Sequence, residues 1–297
     1  MYKYFAYNNL IISELLLPLN PIIDENYYSK NILYINKNTI SFIYKETSLI
    51  GTISYSIKDQ EIYINVPNVA QYLYNNNEII VDPYDQSDIK LIGLYLIHFV
   101  MLFIINNNNY LLLHGSAVTS PFNKEEAMIL IGNKGAGKST LAATLSKHNS
   151  KILCDDLIPI SKDGLVHPGI PIIKLFEDSY KAITNNAEIS NENSDGQGKY
   201  HLNANYSSSA KKLNTIIILS KCNINDIEIK ELTGGEKIKA IIQHIIKIDT
   251  LNKDSFIFTY LMELTKNIKV YSLKRVDEYI NPELIIKEIF KIYKKGD

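Results

Sequence analysis

From Tyr2 to about Asp82 apolar residues recur at short, near-alternating intervals: Tyr4-Phe5-Ala6-Tyr7, Ile32-Leu33-Tyr34-Ile35, Thr39-Ile40-Ser41-Phe42-Ile43 and Glu61-Ile62-Tyr63-Ile64-Asn65-Val66. Tyrosine and isoleucine at period two, broken by clusters of Asn, Asp, Gly and Pro, predict a mostly β N-terminal part. A helix is predicted next, from about Gln86 to Ile105, closed by the asparagine run Asn106 to Asn109. That run sets the expected boundary between a β-rich region, 1–108, and a second domain, 109–297. Beyond it the period changes. Tyr110-Leu111-Leu112-Leu113 and Ala127-Met128-Ile129-Leu130-Ile131 are continuous apolar runs of the kind buried strands show. A helix over about Lys138 to His148, a strand at Lys151 to Cys154, a helix near Ser179 to Asn186 and a strand at Leu213 to Leu219 follow. Isoleucines 238, 241, 242, 245 and 246 mark one helical face. Asn281, Pro282 and Glu283 read as the cap, first residue and first turn of a last helix. Interleaved strands and helices make the C-terminal part α/β.

Composition narrows the function classes. The 31 basic and 32 acidic side chains leave a formal net charge of −1, whereas nucleic-acid or membrane-surface binding usually brings a basic excess. The window Leu91 to Ile105, about 15 residues, falls short of the ~20 that span a bilayer and reads as a buried helix, so no membrane insertion is expected. The two cysteines, Cys154 and Cys222, have no zinc-type or redox spacing. The N-terminus lacks the pattern of a signal peptide, which makes a cytoplasmic location the expectation. Arg275 is the only arginine. Bidentate clamping of an anion therefore falls to Arg275, lysines or backbone amides; Arg275 itself reads as a transition-state clamp, a substrate-carboxylate partner or a surface residue.

The segment Gly132-Asn133-Lys134-Gly135-Ala136-Gly137-Lys138-Ser139, followed by Thr140, matches the Walker A pattern G-x-x-x-x-G-K-[ST] between a predicted strand and a predicted helix. Gly135 and Gly137 let the backbone turn its N–H groups toward a phosphate, and the helix adds its positive end. Lys138 can then reach the β/γ-phosphates of ATP, Ser139 can ligate Mg²⁺, and Lys134 adds charge. Asp155-Asp156 follow at the expected end of the Lys151 to Cys154 strand, where one carboxylate can meet the metal and the other can take a proton from an attacking hydroxyl. Upstream, His114-Gly115-Ser116-Ala117-Val118 reads as the end of the strand preceding the loop strand.

Together, His114-Gly115, the loop and the Asp-Asp pair resemble the catalytic domain of the HPr kinase/phosphorylase family, P-loop kinases that phosphorylate a serine on a protein. His167-Pro168-Gly169-Ile170-Pro171-Ile172-Ile173-Lys174-Leu175-Phe176 and Gly198-Lys199-Tyr200 resemble segments of the HPr-kinase-like proteins of peptide biosynthetic clusters, and the match is nearer to the lasso-peptide-type precursor serine kinases. The resemblance implies an α/β P-loop kinase domain, with a mixed sheet and flanking helices, after the β-rich N-terminal region. It implies ATP and Mg²⁺, Asp156 as base, Lys138 at the migrating phosphoryl group, Ser139 and Asp155 at the metal, and His114 at the same centre. The acceptor it implies is a serine on a peptide or protein; free serine, or a nucleotide-binding regulatory module, are the alternatives. A further metal carboxylate of the HPr kinase signature is not visible, only Glu177 and Asp178 standing nearby. Asn185 to Gln197 reads as a loop that closes over substrate or a plain surface loop, and the isoleucine-rich helices suit either a core or a homo-oligomer interface.

Overall fold

Alternation in the N-terminal region builds one sheet with a continuous buried face and a second, smaller buried cluster of Ile40, Tyr63 and Leu73. In the computed structural model, which describes residues 1–297 apart from 20–30, 42–47, 59, 108–109, 185–197, 249–253, 278–279 and 295–297, the chain divides into two compact units. One is Met1–Tyr110 with Lys247–Lys253, the other Leu111–Ile246 with Asp254–Asp297.

The first unit holds β1 (Tyr2–Ala6), β2 (Asn9–Ser13), β3 (Ile32–Lys37), β4 (Ser48–Ile50), β5 (Ile53–Lys58), β6 (Glu61–Val66), β7 (Ala70–Asn75) and β8 (Glu78–Pro83). They join in the order β1-β2-β3-β8-β7-β6-β5-β4. Tyr4, Ile11, Ile35, Ile79, Tyr72 and Ile64, fully buried, lie on one face of this sheet. Asn76 and Asn77 both adopt left-handed backbone in the two-residue loop between β7 and β8, the conformation that matches the twist of a tight hairpin and that asparagine tolerates well.

Asp88 then caps α1 (Ile89–Tyr95) by accepting from the Lys90 N–H at 2.8 Å, and a π-helical stretch, Leu96–Val100, leads into α2 (Met101–Asn107). The helix starts three residues later than the sequence suggests, because Gln86 has a left-handed φ of 64°. It also corrects the length argument: Ile89–Asn106, 18 residues, is long and apolar enough to cross a membrane, and 56% of that stretch is buried inside the protein. Leu96, Ile97, Met101 and Phe103 are fully buried; Phe103 meets the Tyr55 ring at a centroid distance of 4.8 Å, and the Tyr72 hydroxyl donates to the Ile92 carbonyl at 2.9 Å.

The second unit contains β9 (Leu111–Thr119), β10 (Glu126–Gly132), β11 (Ile152–Ile160), β12 (Leu165–Val166), β13 (Ile172–Phe176), β14 (Lys199–Asn203), β15 (Lys211–Cys222), β16 (Glu228–Glu231) and β17 (Lys269–Val276). Its helices are α3 (Lys138–Lys147), α4 (Glu177–Thr184), α5 (Gly235–Ile242), α6 (Asp254–Lys266) and α7 (Pro282–Lys294). The main sheet is mixed: β10, β15 and β17 run parallel, while β9 lies antiparallel between β10 and β11. The apolar run of β10 is explained by burial on both faces. Ile129 and Ile131 enter one core with Leu261 of α6, and Met128 and Leu130 enter another with Leu141 of α3 and Ile286 of α7. β13 and β14 form a separate two-stranded sheet.

Two expectations change here. β11 does not stop at Cys154 but runs on through both aspartates, because Leu157, Ile158 and Ile160 continue its pairing with β9. The segment His114 to Val118 closes β9 as expected, and Gly115 to Thr119 pair with β10. The isoleucine helix ends at Ile242; Ile245 bridges to Leu113, and the Ile246 N–H donates to the Leu112 carbonyl at 2.9 Å. These isoleucines serve a strand edge, which periodicity alone cannot separate from a helix face.

Two consequences of this packing are measurable. A Cβ on Gly115 would stand 2.4 Å from the Leu130 carbonyl oxygen, so Gly115→Ala is expected to destabilise the protein by about 1–3 kcal/mol, read as a lowered Tm. Cys154 is 1% exposed and burial raises its thiol pKa, whereas Cys222 is half-buried. Alkylation of the folded protein should therefore mark Cys222, and Cys154 only after unfolding.

Candidate functional site

The glycine-rich loop leaves β10 at Gly132, where a Cβ would lie 2.3 Å from the Leu219 carbonyl oxygen of β15. Gly135 and Gly137 have φ of 81° and 98°, left-handed values that favour glycine, and Gly137 caps α3. Lys138 is 8% exposed and its ammonium donates to the carbonyls of Gly132 (2.9 Å) and Asn133 (3.2 Å). Burial pulls its pKa down, against the attraction of Asp155 and Asp156.

β11 places the two aspartates differently. Asp155 is buried, and its Oδ1 accepts from the Ser116 hydroxyl at 2.6 Å and the Ser139 hydroxyl at 3.0 Å, while Oδ2 accepts from the Lys174 backbone N–H at 3.1 Å. Burial first and Asp156 second push its carboxyl above the ordinary range; the three hydrogen bonds oppose them. Asp156 stands in left-handed backbone, φ 68°, in the middle of a strand. This conformation is uncommon outside glycine, and such outliers gather at functional sites. Its carboxylate pairs with the Lys174 ammonium at 3.4 Å, and Asp156, unlike Asp155, lines a cavity. His114 Nδ1 donates to the Asp156 carbonyl at 3.1 Å; burial and then Lys138 lower its pKa, against Asp156.

The cavity, about 340 Å³, is lined by His114, by Lys134, Gly135, Ala136, Gly137, Lys138, Ser139 and Thr140 of the loop and α3, and by Asp156. Gly132 and Asn133 contribute backbone carbonyls to Lys138 instead. The Thr140 hydroxyl donates to Ser179 of α4 at 3.0 Å. The paired strands β13 and β14 add Lys174, Phe176 and Lys199, with the Lys199 ammonium 5.5 Å from the Phe176 ring centroid. Thus the end of the segment 167–176 and the segment 198–200, separated by α4, meet at one wall. The ends of β15 and β17 supply Lys221, Arg275 and Asp277, and Leu219, Ile280, Pro282 and Ile285 give that end an apolar lining. Six cationic side chains face two carboxylates, a field that suits a polyanion.

Sequence reasoning did not single out Ser116 or the double contact of Lys174, whose backbone and side chain touch the two aspartates in turn. Ser116 and Asp155 are 39 residues apart, and nothing local to either marks the other. Arg275 is no surface residue: it is 8% exposed, so that reading is withdrawn. Glu177 pairs with Lys181 at 2.6 Å, and neither it nor Asp178 lines the cavity. Among the described residues no group of three or more metal-binding side chains occurs. A Mg²⁺ ion, which commonly takes one or two carboxylates together with substrate phosphates, fits the donor set of Ser139 and Asp155. The 185–197 segment lies outside the described residues.

No family model and no curated protein matches the chain. Among solved structures it is similar to the HPr(Ser) kinase/phosphatase from Coxiella burnetii, at 12% sequence identity and a TM-score of 0.26, over 62% of this chain and 94% of that one. A superposition at that level carries no weight for activity or substrate.

Proposed function

We propose that this protein is an ATP- and Mg²⁺-dependent kinase that transfers the γ-phosphoryl group to a serine hydroxyl, on a ribosomally made peptide of the lasso-precursor type or on a protein. The observation that carries the reading is the contact of the loop hydroxyl of Ser139 with buried Asp155, directly beside a second, cavity-facing carboxylate, Asp156, in a strongly cationic cleft. In this reading the N–H groups of the loop and the start of α3 face the phosphates. Lys138 exchanges its contacts with the loop carbonyls for phosphate oxygens. Asp156 accepts the serine proton as the new O–P bond forms and the bond to the leaving diphosphate breaks; Lys174 and His114 hold that carboxylate's strand segment in place. Ser139 and Asp155 would hold Mg²⁺, which would supply charge neutralisation of the phosphates. Such transfer demands mainly positioning and electrostatic stabilisation.

Metal removal tests the cofactor part. Chelation with EDTA is expected to abolish transfer of label from γ-labelled ATP, and added Mg²⁺ to restore it; transfer that persists in excess chelator contradicts the role given to Ser139 and Asp155.

A further inference from the structure

The single arginine reaches the loop from another strand. Arg275 ends the cationic run of β17, two strands away from β10, and both strands are parallel to β15 between them, so all three open at one edge of the sheet. Its Nε donates to the Ala136 carbonyl at 3.3 Å, and its Nη1 donates to the Val276 carbonyl at 3.0 Å. Its Nη2 lies 3.7 Å from where a Cβ on Gly137 would stand. The side chain is buried yet contributes to the cavity wall. His114 and Asp156 stand on β9 and β11, which follow one edge of β10, whereas β15 and β17 follow the other; Lys174 stands on β13. Arg275 thus reaches the loop from the other edge of its strand than the carboxylate that would take the proton.

We infer that Arg275 binds the non-transferred phosphates of the nucleotide and braces the loop at Ala136, so that it sets polyphosphate affinity and not the rate of the transfer step. The inference rests on the nucleotide-binding reading above. A guanidinium suits this double task because its planar fork can hold the Ala136 and Val276 carbonyls while the group still lines the cavity; a lysine ammonium is a single point of charge. Loss of a charge-assisted contact of this kind is expected to weaken binding about tenfold or more.

The solitary arginine makes the test clean, since a guanidinium-specific dicarbonyl, phenylglyoxal, has one arginine to modify and mass spectrometry locates it. Binding of ATP and of inorganic tripolyphosphate is measured calorimetrically on wild type, Arg275→Gln and phenylglyoxal-treated protein, with folding checked by circular dichroism. The expected result has two parts. Tripolyphosphate slows labelling of Arg275 about tenfold or more, and labelled protein and the Gln variant lose ATP and tripolyphosphate affinity by a similar factor. Should the Gln variant not fold, labelling and protection of the wild-type protein decide alone. Unchanged tripolyphosphate affinity after labelling, labelling that is indifferent to tripolyphosphate, or an Arg275 that phenylglyoxal cannot reach overturns the inference. A fall in kcat with unchanged affinity also overturns it, moving Arg275 to the transfer step. Wild-type protein that binds neither ligand fails at the earlier stage, the nucleotide reading itself.

Discussion

Asp156→Asn is expected to lower phosphoryl transfer by about 10²- to 10⁴-fold while ATP binding stays near wild type. The substitution isolates the chemistry. Asparagine tolerates left-handed backbone as aspartate does, so the φ of 68° should survive. The carbonyl that meets His114 belongs to the backbone and is untouched. What disappears is the carboxylate facing the cavity and its pairing with Lys174 at 3.4 Å, a long, partly exposed contact whose loss is expected to cost little stability. Titration calorimetry with ATP should give a dissociation constant close to that of wild type, and Tm should move little. Full transfer by the Asn variant would place the base elsewhere, whereas lost ATP binding would make Asp156 part of the nucleotide site.

Lys138→Met should have the second large effect, a fall in transfer of about 10²- to 10³-fold, the scale of removing one electrostatic donor from a developing charge. Here the expected stability change runs the other way from activity. Lys138 is nearly buried, and its charge is desolvated against two loop carbonyls. Methionine fills a similar volume without a buried charge, so a Tm at or above that of wild type is expected, the pattern of a residue kept for function at a cost in stability. Carbonyl oxygens tolerate an unfilled site better than N–H groups do, which limits the opposing loss. A large drop in Tm together with lost activity would make Lys138 structural.

Legibility from sequence followed the range of the interactions involved. The loop could be read because its chemistry is contiguous: glycines, lysine and serine within eight positions, between a strand and a helix. Asp155 and Asp156 were also legible as a pair, but not the division between them. Burial of one and exposure of the other depends on β9, where Ser116 lies opposite Asp155, and on β13, which carries Lys174. Local pattern misled where two structures share it. Ile245 and Ile246 keep a helical spacing yet pair with β9, and Leu157 to Ile160 extend β11 beyond residues that usually mark a turn. β17, Lys269–Val276, alternates in period two and could have been read as a strand. Its importance for the site could not, because Arg275 meets Ala136 across 139 positions of sequence.

The most direct test of the central claim is the fate of γ-³²P from labelled ATP, incubated with the protein, Mg²⁺ and a serine-bearing precursor peptide, beside the same peptide with alanine in place of serine. A serine kinase transfers label to the first peptide and not to the second, at a stoichiometry approaching one phosphate per peptide. Label released only as inorganic phosphate across peptide, protein and free-serine acceptors would contradict the kinase reading and leave a nucleotide-hydrolysing module in its place.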